Sequence, residues 1–152
     1  KIKKISLTKT KFNNFNPIKY KIEGFTFLVG RNNKENDYLS LKYASKTDIW
    51  FHTKDIQGSH AVLLLNSIKE SKRDSSHLTY ENISYQSKNS LPCPESILIK
   101  CAEITAYHSK AKNSSNVPVD YCEVKYVRKP NGSKPGVVIY SNNSTLYVTP
   151  SL

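Results

Sequence analysis

Asp48-Ile49-Trp50-Phe51-His52-Thr53, Lys54-Asp55-Ile56-Gln57-Gly58-Ser59 and His60-Ala61-Val62-Leu63-Leu64-Leu65 read in succession as a strand, a turn and a second strand. Side chains alternate along extended backbone, so Ile49 and Phe51 fall on one face and Trp50 and His52 on the other. Residues 61–65 form an unbroken apolar run, which suits a strand covered on both faces. Pairing the two strands about a turn centred on Ile56 brings His52 and His60 opposite each other.

Toward the N-terminus, residues 18–29 alternate around Gly24 as a short hairpin. Gly30-Arg31-Asn32-Asn33 ends it, and Asn32 or Asn33 can cap a helix through its side-chain oxygen. The helix expected over about 34–45 places Tyr38, Leu41 and Ala44 or Ser45 on one stripe. Toward the C-terminus, Pro94-Glu95 opens the longest helix, with Ile97, Cys101, Ile104, Thr105 and His108 facing the core. Lys110 and Lys112 are expected in its last turn, and Asn113-Ser114-Ser115-Asn116 with Pro118 should end it. Strands are expected over 119–127, 137–140 and 145–149, with turns at 129–132 and 141–144. The expected fold is a single α+β domain with a mostly antiparallel or mixed sheet and two main helices.

The chain has 152 residues, enough to bury a core without metal or disulfide staples. Its formal net charge of +11 is concentrated at the front: Lys1, Lys3, Lys4, Lys9, Lys11, Lys19 and Lys21 meet no acid in the first 21 residues. A second basic concentration runs from Lys110 to Lys134, and the two form one phosphate-binding face only if the fold joins them. Residues 66–91 are dominated by Ser, Asn, Lys and Glu and read as a long, mobile polar surface loop. No apolar run approaches the roughly 18 residues of a membrane span, and no apolar stretch follows the leading lysines as a secretory signal requires. Starting with Lys and containing no Met, the sequence reads as a piece of a longer protein. Cys93, Cys101 and Cys122 lack CxxC spacing and are odd in number, so buried free thiols of a cytosolic protein are expected.

Two imidazoles across a strand pair can bind a metal or pass a proton, but only Asp48 and Asp55 lie nearby as a third ligand. An anchor for the turn, or a ring stacked on a ligand, is favoured over a metal site. Gly30-Arg31-Asn32-Asn33 suits a phosphate cradle or an ordinary strand-to-helix cap equally well. Trp50 fits a core position or a base-stacking platform. Ser59 beside His60 lacks a nucleophile elbow, which argues against a catalytic serine. Lys110, Lys112, Lys125, Arg128, Lys129 and Lys134, interleaved with Tyr107, Tyr121 and Tyr126, suit an RNA backbone with splayed bases.

Several stretches share one resemblance. They are Val29-Gly30-Arg31-Asn32-Asn33-Lys34-Glu35-Asn36-Asp37-Tyr38-Leu39, then residues 48–55 with Gly58-Ser59-His60, then Tyr107-His108-Ser109-Lys110-Ala111-Lys112-Asn113 running into Val117-Pro118-Val119-Asp120-Tyr121. Lys129-Pro130-Asn131-Gly132, Lys134-Pro135-Gly136 and Thr145-Leu146-Tyr147-Val148-Thr149-Pro150 complete the series. In collinear order over about 24–65 and 92–150, these resemble the RNA-binding (R) domain of the NFACT family. Gln57 stands where that family usually has Pro, and the small-residue pair of the long helix is Cys101-Ala102.

The resemblance implies a cytoplasmic role in ribosome-associated quality control. Family members bind obstructed large ribosomal subunits and tRNA and support C-terminal tailing of the stalled chain, mainly with alanine in bacteria. It further implies a non-enzymatic binding module with no cofactor or metal, whose partners are tRNA, large-subunit RNA and other domains of the same protein, and no membrane. Residues 1–23 would be a basic leading segment and 24–152 the RNA-binding domain, with a polar insertion at about 66–91. Arg31, Asn32 and Asn33 are expected near phosphate or base edges, and Trp50, His52, Ser59 and His60 as a shaped contact surface. Ser109, Lys110, Lys112, Lys125, Arg128, Lys129 and Lys134 would form the electrostatic rim, and Lys54 is a further nucleic-acid-binding candidate. Two rival functions remain: a metal-dependent or nuclease-like enzyme centred on His52 and His60, and a fibronectin-binding adhesin, after the old label of bacterial family members.

Overall fold

The computed structural model describes residues 15–66 and 92–152. Strands β1 (Ile18–Ile22) and β2 (Phe25–Val29) form the expected hairpin about Glu23-Gly24. Both turn residues have positive φ, 48° and 91°, the combination a two-residue hairpin turn requires to match strand twist. Helix α1 (Asn33–Tyr38) continues as a π-helical turn at Leu39–Tyr43 and leads to β3 (Ile49–Thr53) and β4 (Ala61–Leu64). Helix α2 (Glu95–Tyr107), β5 (Val117–Glu123), a 3-10 turn (Val124–Tyr126), β6 (Val127–Arg128), β7 (Ile139–Tyr140) and β8 (Ser144–Val148) follow.

Six strands make one sheet in the order β1-β2-β4-β3-β5-β8, and β6 and β7 make a small second sheet. Every strand pair is antiparallel, so the domain is α+β with an antiparallel sheet. Strand β1 lies beyond the boundary drawn at residue 24, yet it pairs with β2 along its whole length and belongs to the sheet. The leading residues 1–14 and the polar insertion, apart from Asn66, lie outside the described residues.

The period of two sorts the core into two layers. Phe25, Phe27, Val29, Ile49, Phe51, Ala61, Leu63, Val117 and Val119 face Ile97, Leu98, Cys101, Ala102 and Ile104 of α2. Leu28, Trp50, Val62 and Cys122 face Leu39, Val124 and Val127 on the other side. Phe27 and Phe51 meet edge to face with centroids 5.5 Å apart, and each contributes roughly 1.5–3 kcal/mol by burial. The three cysteines are free and buried, and burial pushes the Cys93 and Cys122 thiols up to about 12.

Both helices differ from expectation in their ends. The first is widened after Tyr38, where the Ala44 N–H reaches back to the Leu39 carbonyl, and its buried face is Glu35, Asn36, Leu39 and Ser40. Tyr38, Leu41 and Ala44 are only partly buried, and Ser45 is exposed. The second helix stops at Tyr107, so Lys110 and Lys112 lie beyond it. Its exit is claimed by the β3–β4 turn: Ser59 N–H donates to the His108 carbonyl and Lys110 N–H to the Gln57 carbonyl. The Ser109 hydroxyl donates to the Ala106 carbonyl and accepts from the Ala111 N–H, which closes the helix locally. The strand expected over 119–127 is broken by the 3-10 turn at Val124–Tyr126.

Candidate nucleic-acid interface

Strand directions gather one set of loops at one end of the sheet. Ile18, Val29, Thr53, Ala61, Val117 and Val148 all stand at that end, as the registers show. The loops beyond them carry Arg31, Asn32, Asn33, Lys54, Ser59, Ser109, Lys110 and Lys112. The 129–137 segment joins them through Gly136, whose N–H donates to Asp37 at 2.9 Å and whose carbonyl accepts from His60. Gly136 has φ +89°, and a Cβ there would stand 2.7 Å from the Asn33 oxygen, so only glycine allows this approach.

The two histidines meet as the strand pairing demands. The β3–β4 ladder ends at Phe51 opposite Ala61, and one step further the His52 and His60 rings lie edge to face, 5.3 Å apart. Their environments differ. His60 is 2% exposed and fully bonded. The Trp50 indole N–H donates to Ser40 Oγ at 2.9 Å, and Ser40 Oγ lies 2.8 Å from His60 Nδ1. His60 Nε2 lies 3.1 Å from the Gly136 carbonyl, which can only accept. Nε2 therefore carries the proton, and Nδ1 accepts from the Ser40 hydroxyl. Burial, reinforced by neighbouring His52, pulls the His60 pKa down to about 4 and keeps the ring neutral. The backbone is braced as well: His60 N–H donates to Asn36 Oδ1, and Gly30 N–H donates to the His60 carbonyl.

Trp50 is wholly buried, with Tyr140 packed on it at 4.7 Å and His52 stacked at 5.8 Å and 13°. The expected contact surface of Trp50, His52, Ser59 and His60 is thus corrected. Trp50 and His60 are interior anchors, leaving partly buried His52 and Ser59 at the surface. The metal reading also loses its ligand, because both His60 nitrogens are spent. No group of three His, Cys, Asp or Glu able to hold a metal occurs among the described residues.

The Arg31-Asn32-Asn33 stretch closes upon itself. Asn32 Oδ1 accepts the Glu35 N–H at 2.9 Å, the N-cap anticipated in the sequence. Glu35 reaches back to the Arg31 N–H at 2.9 Å and takes the guanidinium at 3.0 and 2.7 Å, while also accepting the Asn16 N–H. Its carboxylate stands where a cradled phosphate would, and those bonds, with the Arg31 guanidinium first, hold its pKa down at about 2. The phosphate cradle is therefore filled by the protein's own anion.

The rim lysines and Lys54 divide in the same way. Lys129 pairs with Asp37 at 3.2 Å and donates to the Lys134 and Val137 carbonyls. Lys54 lies 4.0 Å from Asp120, a buried carboxylate that accepts the Tyr140 and Thr145 hydroxyls at 2.6 Å each. Burial, then Asp120, pushes the Tyr140 phenol well above its ordinary value. Lys125 pairs with Glu123 at 3.6 Å at the opposite end of the sheet, so it drops out of the rim. Arg128 is exposed on β6. Lys110, Lys112 and Lys134 have no ion-pair partner among the described residues, and Lys112 sits 4.3 Å over the Tyr107 ring.

A family model described as the NFACT protein RNA-binding domain matches residues 11–142. The chain belongs to the NFACT RNA-binding domain family. Among curated NFACT relatives, it is 44% identical over 127 residues to the Rqc2 homolog RqcH of Bacillus subtilis, covering 84% of this chain and 18% of that protein. The corresponding protein of Streptococcus suis is 40% identical over 124 residues, again across 18% of its length. The chain thus spans less than a fifth of these relatives. A solved structure of the C-terminal region of the fibronectin/fibrinogen-binding protein from Streptococcus suis superposes with a TM-score of 0.69 at 36% identity. That match covers 90% of this chain and 46% of the other.

Glu35, Asn36, Asp37, Ser40 and Tyr140, none of them conspicuous in the sequence, brace the loops at this end of the sheet and the network behind them. An Asn followed three residues later by Glu is a capping pattern that could have flagged Glu35. The partners of Ser40 and Tyr140 are distant in sequence and leave no local signal.

Proposed function

We propose that this domain is the RNA-gripping module of a cytoplasmic ribosome-associated quality-control factor. In that setting it helps hold tRNA on obstructed large ribosomal subunits while the stalled chain is extended, and peptide-bond chemistry belongs to the ribosome. The observation that carries the proposal is that exposed Lys110 and Lys112 share one loop at one end of the sheet without acid partners among the described residues. Glu35, Asp37 and Asp120 at the same end are bonded to Arg31, Lys129 and Tyr140, which leaves the field of the free lysines less opposed. Partly buried Ser59 on the β3–β4 turn, His52 near the end of β3 and the ring of Tyr107 at the last position of α2 lie at the same end and offer surfaces for bases or sugar.

Binding to tRNA and to duplex DNA of equal length, compared across a salt series, tests the proposal. Preference for tRNA that survives moderate salt supports it. Equal and steeply salt-dependent binding to both means that net charge alone acts, and overturns it. The name of the Streptococcus suis neighbour motivates one further arm, immobilised fibronectin, where saturable binding that resists salt would favour an adhesin.

A further inference from the structure

Beside α1 and away from the Lys110–Lys112 loop, a cleft of about 540 Å³ opens between Phe15, Tyr38, Leu41 and the 129–135 segment. Two of its lining residues are aromatic, Phe15 and Tyr38, which meet edge to face at 4.7 Å, and Tyr43 backs Phe15 from outside the lining at 5.2 Å. The volume falls within the range of small-molecule sites and suits one nucleotide. The charges around it are uneven in what they leave available. Glu35 is consumed by Arg31 and by the Asn16 N–H, and Asp37 by Lys129 and the Gly136 N–H. Lys34 and Lys42, also on the lining, have no ion-pair partner among the described residues. Both acids on the wall are thus already bonded, while two ammonium groups stay available to an anion. An aromatic wall beside free cations is complementary to a planar base joined to a phosphate.

We propose that this cleft takes one unpaired nucleotide of single-stranded RNA, its base against Tyr38 and Phe15 and its phosphate between Lys34 and Lys42. The inference rests on the RNA-binding reading above and adds a second contact to it, separate from the Lys110–Lys112 loop. A duplex with stacked bases could not fill the cleft, so the site would favour loops and ends over helical stems.

Amide NMR shifts of the full 152-residue chain, titrated separately with adenosine monophosphate, uridine monophosphate and inorganic phosphate, locate binding. Anisotropy with tRNA runs in parallel. Nucleotide shifts centred on Tyr38, Leu41 and Lys42 are expected, weakened at least tenfold by Lys34→Ala plus Lys42→Ala and by Tyr38→Leu. The lysine pair is exposed, so its replacement leaves the fold intact. If inorganic phosphate reproduces both pattern and affinity, the aromatic wall plays no part and the proposal fails. If tRNA binds but no nucleotide moves the cleft amides, the cleft assignment fails while the RNA-binding reading stands. Binding of neither overturns both. Concentration-dependent shifts at the same amides without nucleotide would make a second copy of the chain the occupant, and would also overturn the proposal.

Discussion

Two neighbouring regions at one end of the sheet use polar residues in opposite ways. Around His60, the side chains of Trp50, Ser40 and Asn36 spend their hydrogen-bonding groups on one another, on the ring or on backbone. Along residues 108–112, the Lys110 N–H bond to the Gln57 carbonyl and the Ser59 N–H bond to the His108 carbonyl fix the chain, while Lys110 and Lys112 remain without acid partners among the described residues. The first region is a buried network whose value lies in positioning; the second is the surface so positioned. Residues with conspicuous chemistry in the sequence concentrate in the first, and the exposed charge without acid partners in the second.

Breaking the buried region should produce the largest effect. His60→Ala removes both ring hydrogen bonds, strands Ser40 and the Gly136 carbonyl, and opens a cavity beside Trp50. We expect a loss of about 3 kcal/mol in urea unfolding. If stability instead falls by less than about 1 kcal/mol, the network is not what holds the 129–137 segment.

Acid should probe the same contrast without mutation. Folded His60 titrates near 4, below its ordinary 6.5, because burial disfavours the charged ring. The unfolded chain therefore takes a proton that the folded chain refuses. This contribution is whole above pH 6.5 and is lost as pH falls toward 4, by up to about 3 kcal/mol. His52 and His108 are shifted in the same direction by burial and add to the slope. Glu35 acts in a lower window: its stabilisation is whole above 4.5 and disappears as pH falls through about 2. Glu35→Gln should cost about 1–2 kcal/mol at pH 7, discounted because the Arg31 side chain is 45% exposed, and should flatten the lower window. Denaturant midpoints measured from pH 7 to pH 2 check both windows.

The smallest effect belongs to Lys125→Ala. Its lysine pairs with Glu123 at the far end of the sheet, so stability should change by less than about 0.5 kcal/mol and tRNA affinity by less than about twofold. A larger loss of affinity would extend the interface across the whole sheet.

Much of the fold was readable because burial and period leave local marks. Ile49 and Phe51 against Trp50 and His52, the apolar run before Leu65, and the Ile97–Thr105 stripe all took their predicted faces. The meeting of His52 and His60 followed from strand pairing alone. The role of His60 did not follow, because Ser40 and Gly136 decide it from 20 and 76 residues away. The end of α2 was misplaced for a related reason: residues 107–112 have helical composition, but Gln57 and Ser59 compete for their backbone. Lys125 looked like its neighbours in sequence and differs only by the strand end on which it falls. The resemblance identified the family and the motif positions, while burial separated anchors from surface.

The most direct test reverses the charge of the exposed loop while leaving the buried network untouched. Lys110→Glu with Lys112→Glu, measured for tRNA binding across a salt series, should lower affinity at least tenfold at low salt. It should also make the slope of log affinity against log salt shallower by about 1.5, as loss of two phosphate contacts requires. An unchanged affinity and slope in a variant that unfolds like the parent would contradict the account, and would move RNA binding away from this end of the sheet.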